Sequence, residues 1–396
     1  MSQYSLKSFL RKAPNSLLKR YLAGHRIGLD LQWDSINESK IEPIFEAIEA
    51  ASDENRAEIN ADFGDIEAMA TDGGVKTIID EACFHKVNLA LEFEKMEGHH
   101  ERALWTFIEH KRIFEVAFRF NHADSLSDRS WKKTGKLPSK NPHTDEDSKK
   151  RLSTALASYF WKAQGRGKYS IIEHYKRNDL LYWFCYVQDF AQTSIEFDYQ
   201  GNFDRRKICH AFEIIFTHSP AEHTLETYAH GGKPVVLDLQ KIWARIIIDS
   251  EIEPEYESGV VYDLHGLIDK DFPLPLDPTG IIEDIRIKKL RLKFTQPGNQ
   301  RITLEADVSD SKHRIYDLLD DLLDQESKDL VQVTLVSFQV KFRDDGRRGQ
   351  RTLSFNISHP DSCNLKQDPR HLIVKDLLRR WKIDVSGNPD KDSEKD

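Results

Sequence analysis

Cysteine is scarce in this chain, with four in 396 residues. Cys83, Cys185, Cys209 and Cys363 are widely scattered and form no Cys-x-x-Cys pair. That pattern gives no zinc framework and reads as free thiols in a reducing cytoplasm. Long apolar runs are missing as well. None approaches the roughly 20 residues a membrane span needs, so no span is expected. The basic first stretch is too interrupted by charge to be a secretory signal. The chain also lacks a P-loop, a G-x-G-x-x-G turn and a G-x-S-x-G elbow. These absences argue against nucleotide-binding, dinucleotide-binding and serine-hydrolase classes, and no cofactor or metal site is expected.

Charge is plentiful and strongly segregated. The net charge of -9 conceals blocks of opposite sign. Residues 1–29 hold six Lys/Arg and no acid, whereas residues 30–101 hold 19 acids against five bases. Residues 102–140 carry nine bases and four acids. Residues 251–285 carry ten acids and one base, and residues 286–301 carry six bases and no acid. Segregation of this kind creates surface fields that steer charged partners.

The hydrophobic pattern divides the chain. Residues 1–165 read as helical, with one long helix expected over 101–123 from Leu104, Phe107, Ile108, Phe114, Ala117 and Phe118. Residues 124–147 read as a polar, basic loop of unusual length, disordered or functional. From 166 to 255 the pattern turns to antiparallel strands with a helix. The run Leu181-Tyr182-Trp183-Phe184-Cys185-Tyr186-Val187 is apolar on both alternations, as in a central strand buried on both faces. Residues 256–280, acidic and proline-containing, read as a linker.

Residues 281–385 show the clearest design. Val336, Phe338, Val340 and Phe342 alternate with polar residues, as do Leu353, Phe355 and Ile357, predicting two strands with one buried face each. Asp345-Gly346 marks a hairpin with a longer loop. The apolar phase slips at Leu335-Val336 and again at Lys288-Lys289, and a β-bulge at each place would return both sets to one face. Asp368-Pro369 caps a helix running to about Lys382. The same ββα order recurs over 282–325 and 207–249. Residues 386–396 read as a disordered tail. The expected fold class is therefore α+β: a helical N-terminal region, then antiparallel sheet with ββα units.

Several constellations could carry chemistry. Glu92, Glu109 and Lys111 have the composition of a metal-dependent nuclease centre, in which carboxylates hold a cation and a lysine stabilises the attacked phosphate. Their helical context is unlike that of such centres, and an exposed helical charge pair is the favoured explanation. His99, His100, His110 and His122 crowd one helix and its flank but contain no His-x-x-x-His pair. Glu173 and His174 alternate on a strand and so face opposite ways. The most coherent pattern is cationic: Lys289, Arg291 and Lys293 on one strand, Arg347 and Arg348 in the hairpin, and Lys375 and Arg379 on the last helix. Placed side by side, they would bind phosphates in a salt-sensitive way.

Ser362-Cys363-Asn364-Leu365-Lys366, Trp131-Lys132-Lys133, Glu173-His174-Tyr175 and Arg380-Trp381-Lys382-Ile383 resemble stretches of an uncharacterised group of bacterial proteins associated with phage defence or mobile elements. The resemblance implies no known activity and transfers no functional residue. The leading expectation is a cytoplasmic binding or scaffold component that engages nucleic acid or a protein partner through segregated charge. A metal-dependent nuclease or phosphodiesterase is the second reading, and a pure protein-assembly subunit the third.

Overall fold

The computed structural model describes residues 4–38, 40–126, 130–197, 201–252, 260–276, 280–295, 300–308, 311, 313–328, 330–343, 352–367 and 369–386. The chain forms two compact units. One comprises residues 1–126 with 193–207; the other comprises 127–192 and 208–396.

The first unit is built from helices α1 (Leu6–Leu10), α2 (Asn15–Gly24), α3 (Glu42–Glu49), α4 (Asp53–Met69), α5 (Asp72–Phe84), α6 (Ala90–Phe93), α7 (His99–Glu109) and α8 (Lys111–Ser125). Ile59, Phe63, Ile66 and Met69 recur at helical spacing and are fully buried. The Phe63 ring stacks on Phe9 at 4.3 Å. Caps set the helix ends. Ser52 accepts the Asn55 amide at 3.3 Å, and Thr71 accepts the Gly74 amide at 3.0 Å. The α4–α5 turn is so tight that a Cβ at Gly74 would stand 2.3 Å from the Met69 carbonyl oxygen.

The single helix expected over 101–123 is two helices. His110 breaks it, with φ -134° and ψ 50°. The break lets α7 lie against α4 while α8 lies against α5. One straight helix would not follow both.

The second unit contains two five-stranded antiparallel sheets, except that residues 193–197 and 203–207, at the ends of two strands of the first sheet, belong to the first unit. The first uses β1 (Trp131–Thr134), β2 (Ser170–Arg177), β3 (Leu180–Phe197), β4 (Phe203–Ser219) and β5 (Thr224–Tyr228), in the order β1-β5-β4-β3-β2. Helices α9 (Glu146–Gln164) and α10 (Gly232–Ile247) cover one face of it. Trp183, Phe184 and Cys185 are consecutive and fully buried, as expected of a strand covered on both sides. The expected long loop contains a strand: Trp131–Thr134 pairs with Tyr228–Leu225 at the sheet edge.

The second sheet uses β6 (Ile282–Phe294), β7 (Arg301–Glu305), β8 (Val331–Phe342), β9 (Thr352–Ser358) and β10 (Ser362–Cys363), in the order β10-β9-β8-β6-β7. Helices α11 (Arg314–Leu322) and α13 (Pro369–Arg380) bury Ile315, Leu319, Val374, Leu377 and Leu378 in its core, and α12 (Gln325–Lys328) is a short turn before β8. The two ββα segments therefore share one sheet, with β6 and β8 adjacent at its centre.

Both phase slips are real. The β6–β8 register shifts between Ile287 and Lys289 and between Arg291 and Leu292. The second shift skips Thr334 on β8. Val331 and Val333 thereby join Val336, Phe338, Val340 and Phe342 in the core, while Leu335 is left half-buried.

The acidic segment expected as a linker is partly core. Val261, Tyr262, Leu264 and Leu267 pack beneath the second sheet, and Tyr262 bridges Asp384 in an isolated β-pair. Of the expected tail, Ser386 is buried, and residues 387–396 lie outside the described residues. Asp368, the expected cap, also lies outside them. No described helix is long and apolar enough to cross a membrane.

Candidate nucleic-acid interface

Period-two alternation buries one face of the second sheet and leaves the other polar. Ile285, Ile287, Leu290 and Leu292 of β6 point into the core. Arg286, Lys289, Arg291 and Lys293 are half-buried on the opposite face. The neighbouring strands continue that face with polar groups. Lys289 sits between Glu305 and Ser337, and Ser337 in turn sits beside Asn356. Arg291 is paired with Thr303, and Arg286 with Gln339. Lys293 lies between Arg301 and Gln332. Arg301, Thr303, Glu305, Ser354 and Asn356 are exposed. Helices α11 and α13 put their buried residues against the apolar side.

Neutralisation is uneven across this face. Lys289 Nζ is 2.8 Å from Glu305 Oε2, and Arg286 pairs with Asp284. Arg291 Nε donates to Thr334 Oγ1 at 3.3 Å, which orients the guanidinium. Lys293 and Arg301 stand directly across from each other. Among the described residues no acid pairs with either, and the connecting residues 296–299 contain none. Two like charges set side by side repel. An anion between them would relieve that repulsion.

The remaining cations of the expected set are placed elsewhere. Lys375 and Arg379 lie on α13, toward the apolar side, and face acids of the first sheet's β4–β5 turn region. Lys375 Nζ is 3.6 Å from Glu226 Oε1, and Arg379 pairs with Glu222. They do not extend the surface of Lys289, Arg291 and Lys293. Arg347 and Arg348 lie outside the described residues.

Lys375 belongs to an ionic seam that joins the two sheets. The Lys133 amide donates to the Asp361 carbonyl at 3.0 Å. Lys133 Nζ reaches Asp384 Oδ2 at 2.9 Å, with both side chains under 10% exposed. Asp361 takes Lys132 at 3.1 Å and Lys233 at 3.2 Å. Burial pulls the Lys133 ammonium down, but the charges of Asp384, Glu226 and Glu222 outweigh it and hold the group above the ordinary lysine range. Burial likewise pushes Asp384 up, and Lys133 with the Ser386 hydrogen bonds overcomes it, holding the carboxyl below its usual range. The Cys363 thiol beside this seam is pushed up to about 12, mainly by burial, so it stays an inert thiol. The seam is a closed set of ion pairs between sheets.

The nuclease-like residues do not converge on one another through any shared ion pair. Glu92 pairs at 2.9 Å with Lys95, just beyond the end of its short helix. Glu109 pairs with Arg20. Lys111 begins the next helix and lies over the Phe107 ring at 5.2 Å. The histidines also disperse: His99 meets Asp72 at 3.1 Å, His100 meets Glu67 at 2.8 Å, and His110 packs on Trp105. Glu173 and His174 do face opposite ways, since Tyr175 donates to Glu173 at 3.3 Å while His174 packs on Trp183 at 4.9 Å. Among the described residues one group has metal-ligating geometry, and it is different: His25, Glu58 and Asp62.

Arg301 is a cation of this face that the sequence pattern alone did not single out. Its signal was present, because Arg301, Thr303 and Glu305 alternate with Ile302 and Leu304. Its meaning emerges only when Lys293 is found opposite. No protein-family model matches the chain, and no curated protein resembles it in sequence, so the geometry of this sheet face is what the functional reading rests on.

Proposed function

We propose that this protein binds nucleic acid through the outer face of its second sheet, with the phosphate backbone as the group recognised. The observation that supports this most is the cross-strand pair Lys293 and Arg301, which no acid among the described residues neutralises. The surrounding Thr303, Gln332, Ser337 and Asn356 add hydrogen-bonding groups suited to phosphate and sugar oxygens. Among the described residues named on this face none is aromatic, so the reading rests on backbone contact and not on base stacking. Backbone contact of this kind is salt-sensitive and weakly selective for sequence. A setting in bacterial phage defence, suggested by the resemblance in short stretches, suits a nucleic-acid partner.

The test compares two multiple variants by fluorescence anisotropy with duplex DNA, single-stranded DNA and RNA. Removing Arg291, Lys293 and Arg301 together, each to Ala, should weaken binding at least tenfold. Removing Lys375 and Arg379 should not, provided the variant remains folded, because their charges already face Glu226 and Glu222. Equal losses in both variants would contradict the assignment, as would wild-type affinity in the triple variant.

A further inference from the structure

The first unit carries a second kind of uncompensated charge. Helix α2 ends at Gly24, and His25 follows as its cap residue. Tyr21, one turn earlier, packs on His25 at 4.8 Å and on Phe63 of α4 at 4.9 Å. That packing sets the end of α2 against the face of α4 bearing Glu58 and Asp62, themselves one turn apart. One ligand atom from each of His25, Glu58 and Asp62 lies within 4.8 Å of the others. His25 Nδ1 is 3.8 Å from Glu58 Oε2.

No Lys or Arg among the described residues pairs with Glu58 or Asp62. Their shared negative field is felt nearby. Burial, and then the charge of Asp62, raises the carboxyl of Asp65 above its usual range. The Tyr21 hydroxyl donates to Asp62 Oδ2 at 2.6 Å, which orients the carboxylate.

We propose that His25, Glu58 and Asp62 bind a divalent transition-metal ion, with Tyr21 as the residue that positions Asp62. One imidazole nitrogen and two carboxylate oxygens suit Zn²⁺ or Mn²⁺ better than Mg²⁺ or Ca²⁺, which prefer all-oxygen shells. Bonds to such an ion are about 2.0–2.2 Å, so the three donors need to draw together by small side-chain rotations. Glu58, 61% exposed, has the freedom to do so. Three protein ligands leave coordination positions open to water. This site is independent of the sheet-face reading, and neither depends on the other.

The experiment is calorimetric titration of chelator-stripped protein with Zn²⁺ and, separately, Mn²⁺, with Mg²⁺ as the comparison. The expected result is one ion per chain for Zn²⁺ or Mn²⁺ and no measurable uptake of Mg²⁺. His25→Ala and Asp62→Asn should each weaken binding at least tenfold while the far-ultraviolet dichroism remains that of the wild type. Tyr21→Phe keeps the ring in the core and should weaken binding by about 10–100-fold, as loss of a ligand-orienting hydrogen bond does. No binding by the wild-type protein would overturn the proposal. So would binding that His25→Ala and Asp62→Asn leave unchanged in folded protein.

Discussion

At the scale of single residues, neutralisation separates charges that hold the fold from charges that face outward. Lys133 and Lys293 are both lysines on strands, but their surroundings are opposite. Lys133 is buried against Asp384 at 2.9 Å, whereas Lys293 faces Arg301 across a strand pair. A like-charge cross-strand pair costs on the order of 0.2–1 kcal/mol. Lys293→Thr should therefore leave the fold as stable or stabilise it by about that amount, while weakening nucleic-acid binding. Urea unfolding and anisotropy on the same variant measure both effects. Loss of stability together with unchanged affinity would show that Lys293 serves the fold.

At the scale of elements, the short strand β1 matters more than its length suggests. It pairs with β5 of the first sheet, and its Lys132 and Lys133 reach Asp361 and Asp384 beside the second. Removing one partner from a buried ion pair leaves the other charged, buried and alone, typically at about 3–5 kcal/mol. Lys133→Met should destabilise the second unit by about this much, and pairing it with Asp384→Leu should recover much of the loss. A double variant as unstable as the single one would show that the seam acts through geometry other than this pair. How much of this was legible in the sequence follows from the range of the forces involved. The bulges in β6 and β8 could be read because period two leaves a visible phase slip in the order of residues. The edge strand Trp131–Thr134 could not, because Trp-Lys-Lys-Thr has no alternating apolar set and its partners lie about 95 and 230–250 residues away. The break at His110 was hidden for a similar reason, since the apolar stripe continues through it and only packing on α4 and α5 reveals two helices. Lys289, Arg291 and Lys293 were legible as one strand face. The separation of Lys375 and Arg379 from them was not, because it depends on which side of the sheet α13 covers.

At the scale of the whole molecule, proton uptake reports on the core of the second unit. Burial, with a smaller contribution from Lys149, lowers His174 to about 4. Burial also lowers His218, whose ring is against Trp243 and whose Nδ1 donates to the Thr224 carbonyl at 2.9 Å. Both are favoured neutral in the fold, so their contribution is present above the unfolded histidine value of about 6.5 and is lost as pH falls toward 4. Below that, the depressed Asp384 adds its own loss. Denaturant midpoints should therefore decline between pH 6.5 and 4, and His174→Phe should flatten the decline. A midpoint independent of pH across that window would contradict the burial of these rings. Charge on the outer surface acts over a longer range, and the proposed nucleic-acid binding depends on it. The most direct measurement is the affinity for duplex DNA across a salt series, for the wild type and for the protein with Arg291, Lys293 and Arg301 changed to Ala. Affinity should fall log-linearly with salt, with a slope shallower in the variant by about 0.9 per phosphate contact removed. Equal slopes in the two proteins, or no binding by the wild type at low salt, would contradict it.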